Sequence, residues 1–531
     1  MQPAEIKGQE AAKHPGGTPI AHQSHVKLKT CNRYPGSSGI LNPVCLPDLP
    51  GIWKGKIDMG NRLQPLTKEQ IHIIHNAAMR ILGETGVAFR LPEAVKIFEQ
   101  HGFRTDGDTV FFDESQVLNA LETVPREFTI MARNPENNVR LGGDHFAFGP
   151  AWAAPFVIDA DGTRRNACLA DQENMCRLVQ TSEYVDFAAG SMAVPAEFAP
   201  EEAATRMLHA AITMTDLPLI SNPCARENGV EIAEMAEIVW GRKAAELAHP
   251  VSIVSVNPLS PLSYADDTLE GLIEFARNGQ ALLISSMVLA GITGPIDIAG
   301  TAAQEMAESL AGITLAQLIN PGVPCVCGGT SCASDMRTGG VSLGGPESLQ
   351  LTAIAAQMAE HYGLPCRYGG NLTDAYSINA QAGIESALLM AAPVISGAHF
   401  IHQSCGILGA YAAVSLEKFV IDEEVCGMIK RAVAPLDISD AGINTDLIQR
   451  VGSGGSYMMQ PETAMKCRTA FFPANLTCRS TYEDWTAKNS GDMVARAAEY
   501  VKKRIESYEK PDIDPGVERD LNAYIERKYN N

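Results

Sequence analysis

Seven loops between residues 192 and 406 carry side chains able to bind or react with a small molecule, and each follows an apolar run. In order they are Met192-Ala-Val-Pro195, Asn222-Pro-Cys224, Asn257-Pro-Leu-Ser260, Leu289-Ala-Gly-Ile-Thr-Gly-Pro295, Gly328-Gly-Thr-Ser-Cys332, Gly369-Gly-Asn-Leu-Thr-Asp374 and His402-Gln-Ser-Cys-Gly406. Glycines there permit close backbone approach or a positive φ. A single Gly-Gly or Gly-Pro is ordinary loop punctuation. Polar residues recurring after successive apolar runs point to a shared site. Asp374 either faces a cation or caps the helix that follows. Glu385, on that helix, reads as a surface residue. His402 either binds a ligand or hydrogen-bonds internally. Trp152, Phe148, Tyr376, Phe400 and Tyr411 fall in the same zone. Some of them could hold a quaternary ammonium by cation–π attraction, although most single aromatics are core. Cys325, Cys327, Cys332, Cys366 and Cys405 stand at strand ends, with His399 and His402 as the imidazoles nearby. A thiolate zinc site needs such residues, but no CxxC pair is present, and buried free thiols are the favoured reading.

The elements that must position these loops are periodic. Strand-like runs lie at Phe187–Val194, Leu217–Ser221, Val251–Val256, Ala281–Met287, Val323–Cys327, Leu364–Tyr368 and Ile395–His402, with Phe146–Val157 as an eighth. The first seven start about 30 to 42 residues apart, close to one βα unit. They are continuous apolar runs, as a parallel sheet buried on both faces requires. Between them, helices are predicted at Glu201–Met214, Val230–Leu247, Gln304–Leu318, Pro346–His361 and Ala380–Met390. The fold class is α/β, a TIM (β/α)₈ barrel with an N-terminal helical and β extension and C-terminal helices. An open doubly wound sheet is the competing architecture; no Gly-rich dinucleotide turn supports it. The expected divisions are an extended arm over 1–64, a helical and β-hairpin lead-in over 65–165, the barrel core over 166–415, and helices packed on the barrel over 416–531. Within the lead-in, Thr67-Lys-Glu-Gln70 resembles a capping box. Helices are expected at Pro92–His101 and Asp113–Thr123. Glu483–Tyr508 reads as one amphipathic helix.

Bulk properties exclude several classes. The 531 residues carry a net charge of −20, which argues against a nucleic-acid partner. No apolar run reaches membrane-spanning length. The N-terminus lacks the layout of a signal peptide, and the 13 cysteines show no disulfide framework, so reduced thiols in the cytoplasm are expected. The N-terminal arm hints at wrapping in a homo-oligomer.

Several runs resemble the trimethylamine methyltransferase family. They are Gly291 to Gly300, Ala307 to Leu318, Pro321-Gly-Val-Pro, Asp335-Met-Arg337, Gly345-Pro-Glu347, Tyr362-Gly-Leu-Pro365, Leu416 to Asp422 and Ser480 to Trp485. The resemblance spans roughly residues 64 to 510. It implies a TIM barrel that passes a methyl group to a corrinoid (cobalamin) carried by a separate small protein docking at the barrel mouth. In the methanogen enzymes for trimethylamine, pyrrolysine occupies the position that corresponds here to Leu372. The chain is therefore similar to the branch without pyrrolysine, which includes glycine betaine:corrinoid methyltransferases. A quaternary amine, glycine betaine first, is the expected substrate. Its leaving group is a neutral amine, so the protein has to align the methyl and exclude water. The expected lining is Asp374, Gln381, His402, Leu372, Asn371 and some of Trp152, Phe148, Tyr376 and Tyr411, with no protein nucleophile and no metal ligand. A betaine carboxylate would want a donor such as His402, Asn371 or a backbone N–H. The alternatives are a methylamine methyltransferase without pyrrolysine, zinc-dependent methyl transfer involving a thiol, and a non-catalytic binder of methylated amines.

Overall fold

The apolar runs pair into parallel strands. The structure is a computed structural model that describes residues 62–221, 224–487 and 491–529. The expected arm over 1–64 falls outside these residues apart from its last three, as do Asn222 and Pro223. Eight strands form one sheet: β1 (Ala147–Phe148), β2 (Ala188–Ala189), β3 (Leu219–Ile220), β4 (Ser252–Val256), β5 (Ala281–Ser286), β6 (Cys325–Gly329), β7 (Cys366–Gly369) and β8 (Phe400–His402). Neighbours in sequence are parallel neighbours in space, and β8 returns to pair with β1, Phe400 opposite Ala147. The ring closes between β1 and β2. There the Asp186 N–H donates to the Phe148 carbonyl at 2.8 Å, and Ala154 bridges Ala193 in parallel. This is the predicted barrel.

Each strand leads into a helix: α1 (Leu169–Gln180), α2 (Pro200–Met214), α3 (Arg226–Trp240), α4 (Asp266–Arg277), α5 (Ile298–Ile319), α6 (Pro346–Tyr362), α7 (Ala380–Ser396) and α8 (Leu416–Ala432). The units thus run from Ala147 to Ala432, wider on both sides than 166–415. β1 is only two residues long and sits inside the hairpin-rich lead-in, which hides its period. The run at Ile395–His402 also differs. Ile395 belongs to α7, which continues through Pro393 and ends at Gly397 with φ 87°. Apolar content alone does not separate a buried helix end from a strand. Leu247 likewise falls beyond α3, which stops at the left-handed Gly241.

The lead-in helices Lys68–Arg80 and Glu114–Leu121 pack on the outer side of α5. The capping box at Thr67 forms as expected, with the Thr67 side chain accepting from Gln70 N–H. Covered by the lead-in on one side and the barrel on the other, α5 is buried from Thr301 to Gln317. That explains why its apolar residues are spread over every face. At the opposite side, Met493–Glu506 packs on α8 and α1, and Pro515–Tyr529 packs on α2 and α3. The single helix expected over Glu483–Tyr508 is instead two. Tyr482–Ala487 is short, and the second begins at the Asp492 cap, whose side chain accepts from Ala495 N–H.

Candidate binding site in the barrel mouth

Strand register decides which side chains enter the barrel. On β8, Phe400 and His402 point inward, their rings stacked with centroids 5.2 Å apart. Phe400 meets Phe187 at 5.0 Å and fills the lower interior. His402 lies one layer nearer the C-terminal ends of the strands, fully buried, with the Trp152 ring 6.0 Å away. Gly369 stands opposite His402, and Arg367 opposite Phe400. Arg367 therefore also points inward, while Tyr368 points out toward α5.

The Arg367 side chain crosses the inner face of β6. Gly328 leaves room for it: a Cβ there would sit 3.0 Å from Arg367 Cβ. The guanidinium ends among four uncharged acceptors. Nη1 donates to Ser285 Oγ at 3.0 Å and to the Gly329 carbonyl at 3.2 Å. Nη2 donates to Gln403 Oε1 and lies 3.3 Å from His402 Nδ1. Gln403 adopts φ 51°, which turns its side chain back into the mouth. Among the described residues Arg367 Nε has no hydrogen-bond partner, and neither does His402 Nε2. With Nδ1 facing a donor, the ring's proton belongs on Nε2. Burial and the neighbouring guanidinium hold the imidazole well below its usual pKa, so it is neutral. Burial also lowers Arg367, but a guanidinium stays charged at any ordinary pH.

Behind this layer, Tyr368 donates from its hydroxyl to Glu305 Oε1 at 2.5 Å. Desolvation pushes the Glu305 carboxyl up to about 7, while hydrogen bonding and the field of Arg367 pull it down. Glu308, on the same face of α5, is spent on structure. It accepts from Ser260 Oγ at 2.7 Å, Leu262 N–H at 2.9 Å and Gln304 at 2.9 Å, and also from Ser286 Oγ.

The residues expected to line the site divide into two sets. His402 and Trp152 come together, Tyr411 is among the groups whose field acts on Arg367, and Leu372 folds its side chain over the inner face of Gly369. The others go elsewhere. Phe148 faces outward from β1, with Lys430 Nζ on α8 at 4.9 Å from its ring, because Gly149 takes the inward position. Tyr376 is 68% exposed. Gln381 is exposed on α7 and donates to Glu385. Asp374 does not cap α7, a role Asn379 takes, and its field acts on Tyr411. Its two oxygens accept from Leu343 N–H and Gly344 N–H, both at 2.9 Å, tethering the turn before α6. Glu385 is not a free surface carboxylate: it accepts from Thr373 Oγ1 at 2.6 Å and Asp374 N–H at 2.9 Å. Asn371 donates to the Ser404 and Asp422 carbonyls and ties the β7 loop to β8 and α8.

The thiols do not gather at the mouth. Cys325 and Cys327 point outward to α5, where Gln317 donates to Cys325 Sγ at 3.3 Å. Burial pushes the Cys325 thiol up to about 12 and Cys327 higher still, so both are protonated. His399 lies at the opposite end of the barrel, accepting from Cys366 N–H and facing the Gly143 carbonyl. Among the described residues no three His, Cys, Asp or Glu side chains are gathered to hold a metal ion. The thiol-zinc reading therefore lacks a donor set.

Sequence reasoning missed Arg367. The signal was present: it is the one charged residue in the run Leu364–Tyr368, and a charge in a strand buried on both faces calls for a reason.

Fold and site together define a closed parallel (β/α)₈ barrel with a cationic, donor-rich layer, the candidate binding site, at the C-terminal ends of its strands. Residues 50–531 match the family model described as trimethylamine methyltransferase (MTTB). The chain is 37% identical over 463 residues to a glycine betaine methyltransferase of Desulfitobacterium hafniense strain Y51, covering 87% of this chain and 96% of the relative. It is 29% identical to a proline betaine:corrinoid methyltransferase of Eubacterium limosum, covering 87% and 96%, and 28% identical to a trimethylamine methyltransferase of Methanosarcina thermophila, covering 87% and 97%. The chain belongs to the trimethylamine methyltransferase family.

Proposed function

We propose that this chain demethylates a small quaternary amine, glycine betaine first, and delivers the methyl group to a corrinoid on a separate small protein that docks at the mouth. The observation that carries the reading is the 37% identity, over 87% of this chain and 96% of the relative, to a glycine betaine methyltransferase. The site's chemistry supports it. Leu372 places an alkyl side chain, with no electrophile, over Gly369. A quaternary nitrogen needs no such activation, because its departing electron pair leaves on a neutral amine. The docked corrinoid supplies the nucleophile in its Co(I) state. One C–N bond breaks, the pair stays on nitrogen, and dimethylglycine remains with no proton moved.

The residues of this chain then have three tasks. Trp152 and Tyr411, both half-buried, offer aromatic faces to the trimethylammonium group. Leu372 and the inner layer of Phe400 and Phe187 keep water away from the methyl. His402 is buried with Nδ1 toward Arg367, so it presents no free imidazole to a docking cobalt; that fits a corrinoid held by the partner. The free thiols fit a reducing cytoplasm, where we place the reaction. Among the described residues no helix is long and apolar enough to cross a membrane.

The test mixes the protein with cob(I)alamin, free and protein-bound, and a panel of methylated amines, following cobalt methylation by absorbance. Glycine betaine is expected to react, and trimethylamine not. Reaction with trimethylamine alone would sink the reading of Leu372. No reaction with any amine would favour a binding protein.

A further inference from the structure

The mouth holds a full positive charge that is paired with no carboxylate among the described residues. Arg367 is buried, and its four hydrogen-bond partners are all neutral. Of the charged groups among the described residues whose field acts on it, the one carboxylate is Glu305, which lies behind the strand wall and is already engaged by the Tyr368 hydroxyl. Burying an unpaired ion costs several kcal/mol, so such an ion is retained where something binds it. Two further features say what that is. Arg367 Nε–H and His402 Nε2–H are both buried donors that find no acceptor among the described residues. Among the described residues the layer therefore has donors and positive charge to spare and no acceptor to meet them, which is the complement of a carboxylate. A guanidinium offers its Nε–Nη edge to a carboxylate as a two-pronged pair.

A trimethylammonium group alone does not explain this layer, because a buried cation would repel it. A zwitterion resolves the conflict. Its carboxylate neutralises Arg367, and its ammonium group lies against Trp152 and Tyr411. We propose that Arg367 is the carboxylate anchor of the substrate site, so that the chain selects quaternary amines bearing a carboxylate close to nitrogen and rejects those without one. This rests on the demethylation reading above and deepens it. Arg367 is thereby a specificity-determining residue: it fixes the acid end so that an N-methyl group points to the open side of the mouth.

The experiment is calorimetric binding to the full chain without corrinoid, which separates the anchor from the chemistry. The ligands are glycine betaine, its uncharged-head isostere 3,3-dimethylbutanoate, choline and tetramethylammonium. Glycine betaine and the isostere are expected to bind. Choline and tetramethylammonium should bind roughly 100-fold more weakly, as expected for loss of a buried charge-assisted pair. Arg367→Gln should weaken both carboxylates by a similar factor, and Arg367→Lys, which keeps the charge without the fork, by less. Unchanged betaine affinity in Arg367→Gln overturns the anchor. If that variant does not fold, the wild-type comparison still decides: choline binding as tightly as betaine overturns the proposal. Arg367-dependent betaine binding without any cobalt methylation would leave the anchor standing and sink the demethylation reading. Demethylation with the same KM in wild type and Arg367→Gln would do the reverse.

Discussion

Glu305 shows how much a single buried carboxyl can weigh on this molecule. Its pKa is raised from 4.5 to about 7 by desolvation. In the unfolded chain it ionises near 4.5, so between that value and about 7 the native state holds a proton that the unfolded state has lost. The contribution to stability is full below about 4.5 and is lost as pH rises through about 7. Its ceiling is about 3 kcal/mol, from 1.36 kcal/mol per pKa unit. Asp422, raised to about 6, acts in the same direction. Wild-type protein should therefore melt at a lower temperature at pH 8 than at pH 5, and Glu305→Gln, which keeps the acceptor for Tyr368, should shrink that difference. Thermal melts at the two pH values check this, and an identical pH difference in both proteins would refute it. At this scale the sequence was a partial guide. His402 and Trp152 were legible because they end a strand or follow one. Phe148 was not, because two-residue β1 gives no alternation from which to read its facing. Asp374 and Gln381 are also tied by hydrogen bonds to Leu343, Gly344 and Glu385, and no spacing rule reveals such tethers.

At the scale of elements, the run Leu416 to Asp422 shows what a family motif can be for. Lys418 and Asp422, one turn apart on α8, form a fully buried ion pair. Lys418 also donates to Ser386 Oγ on α7 at 2.9 Å and reaches the Asn371 carbonyl, while Asp422 accepts from Gly406 N–H at 2.8 Å. The pair thus pins the loops after β7 and β8, which carry Leu372 and Gln403. The next two acids continue the work. Glu423 pairs with Arg504, and Glu424 accepts from the N–H groups of Asn475, Leu476 and Thr477. Breaking a buried pair strands a charge at a cost of about 3–5 kcal/mol, whereas replacing both partners by apolar groups is often near neutral. Lys418→Met should destabilise the protein by that amount in urea titrations. The double variant Lys418→Met/Asp422→Leu should recover much of the loss, since only the Gly406 N–H is then left wanting. A double variant no more stable than the single one would show that the loop tethers, rather than the ion pair, carry the energy. The barrel itself was readable from the period of its strands, since burial on both faces writes continuous apolar runs. Ile395 marks the limit: an apolar residue at the end of α7 and one at the start of β8 look alike until Gly397 separates them.

On the scale of the whole molecule, the barrel is braced on two sides by segments that are not part of its repeat. The lead-in covers α5, and Leu66 is pinned to α6 by the Gln357 side chain, which bonds both its N–H and its carbonyl. The last helix, Pro515–Tyr529, braces α2 and α3 instead. Tyr529 meets Thr205 Oγ1 at 2.7 Å, Tyr524 donates to Glu234 at 2.6 Å, His209 meets Asn522 at 2.9 Å, and Lys528 pairs with the buried Glu231. Leu521 is fully buried in that seam. Removing residues 510–531 would leave Glu231 buried without its cation and uncover the apolar seam, so the truncated chain should melt well below the full one. The seam lies on the outer faces of α2 and α3, whereas the proposed binding layer is inside the ring, built on β5, β6, β7 and β8. The fraction that remains folded should therefore bind glycine betaine as the full chain does. Thermal melts and calorimetry on the same truncated protein read the two effects separately. An unaltered melting temperature would mean that the helix is an ornament on the barrel. A weakened affinity in fully folded protein would mean that the brace reaches the mouth through α2 and α3, and that the barrel wall is less rigid than its closed ring of strands implies.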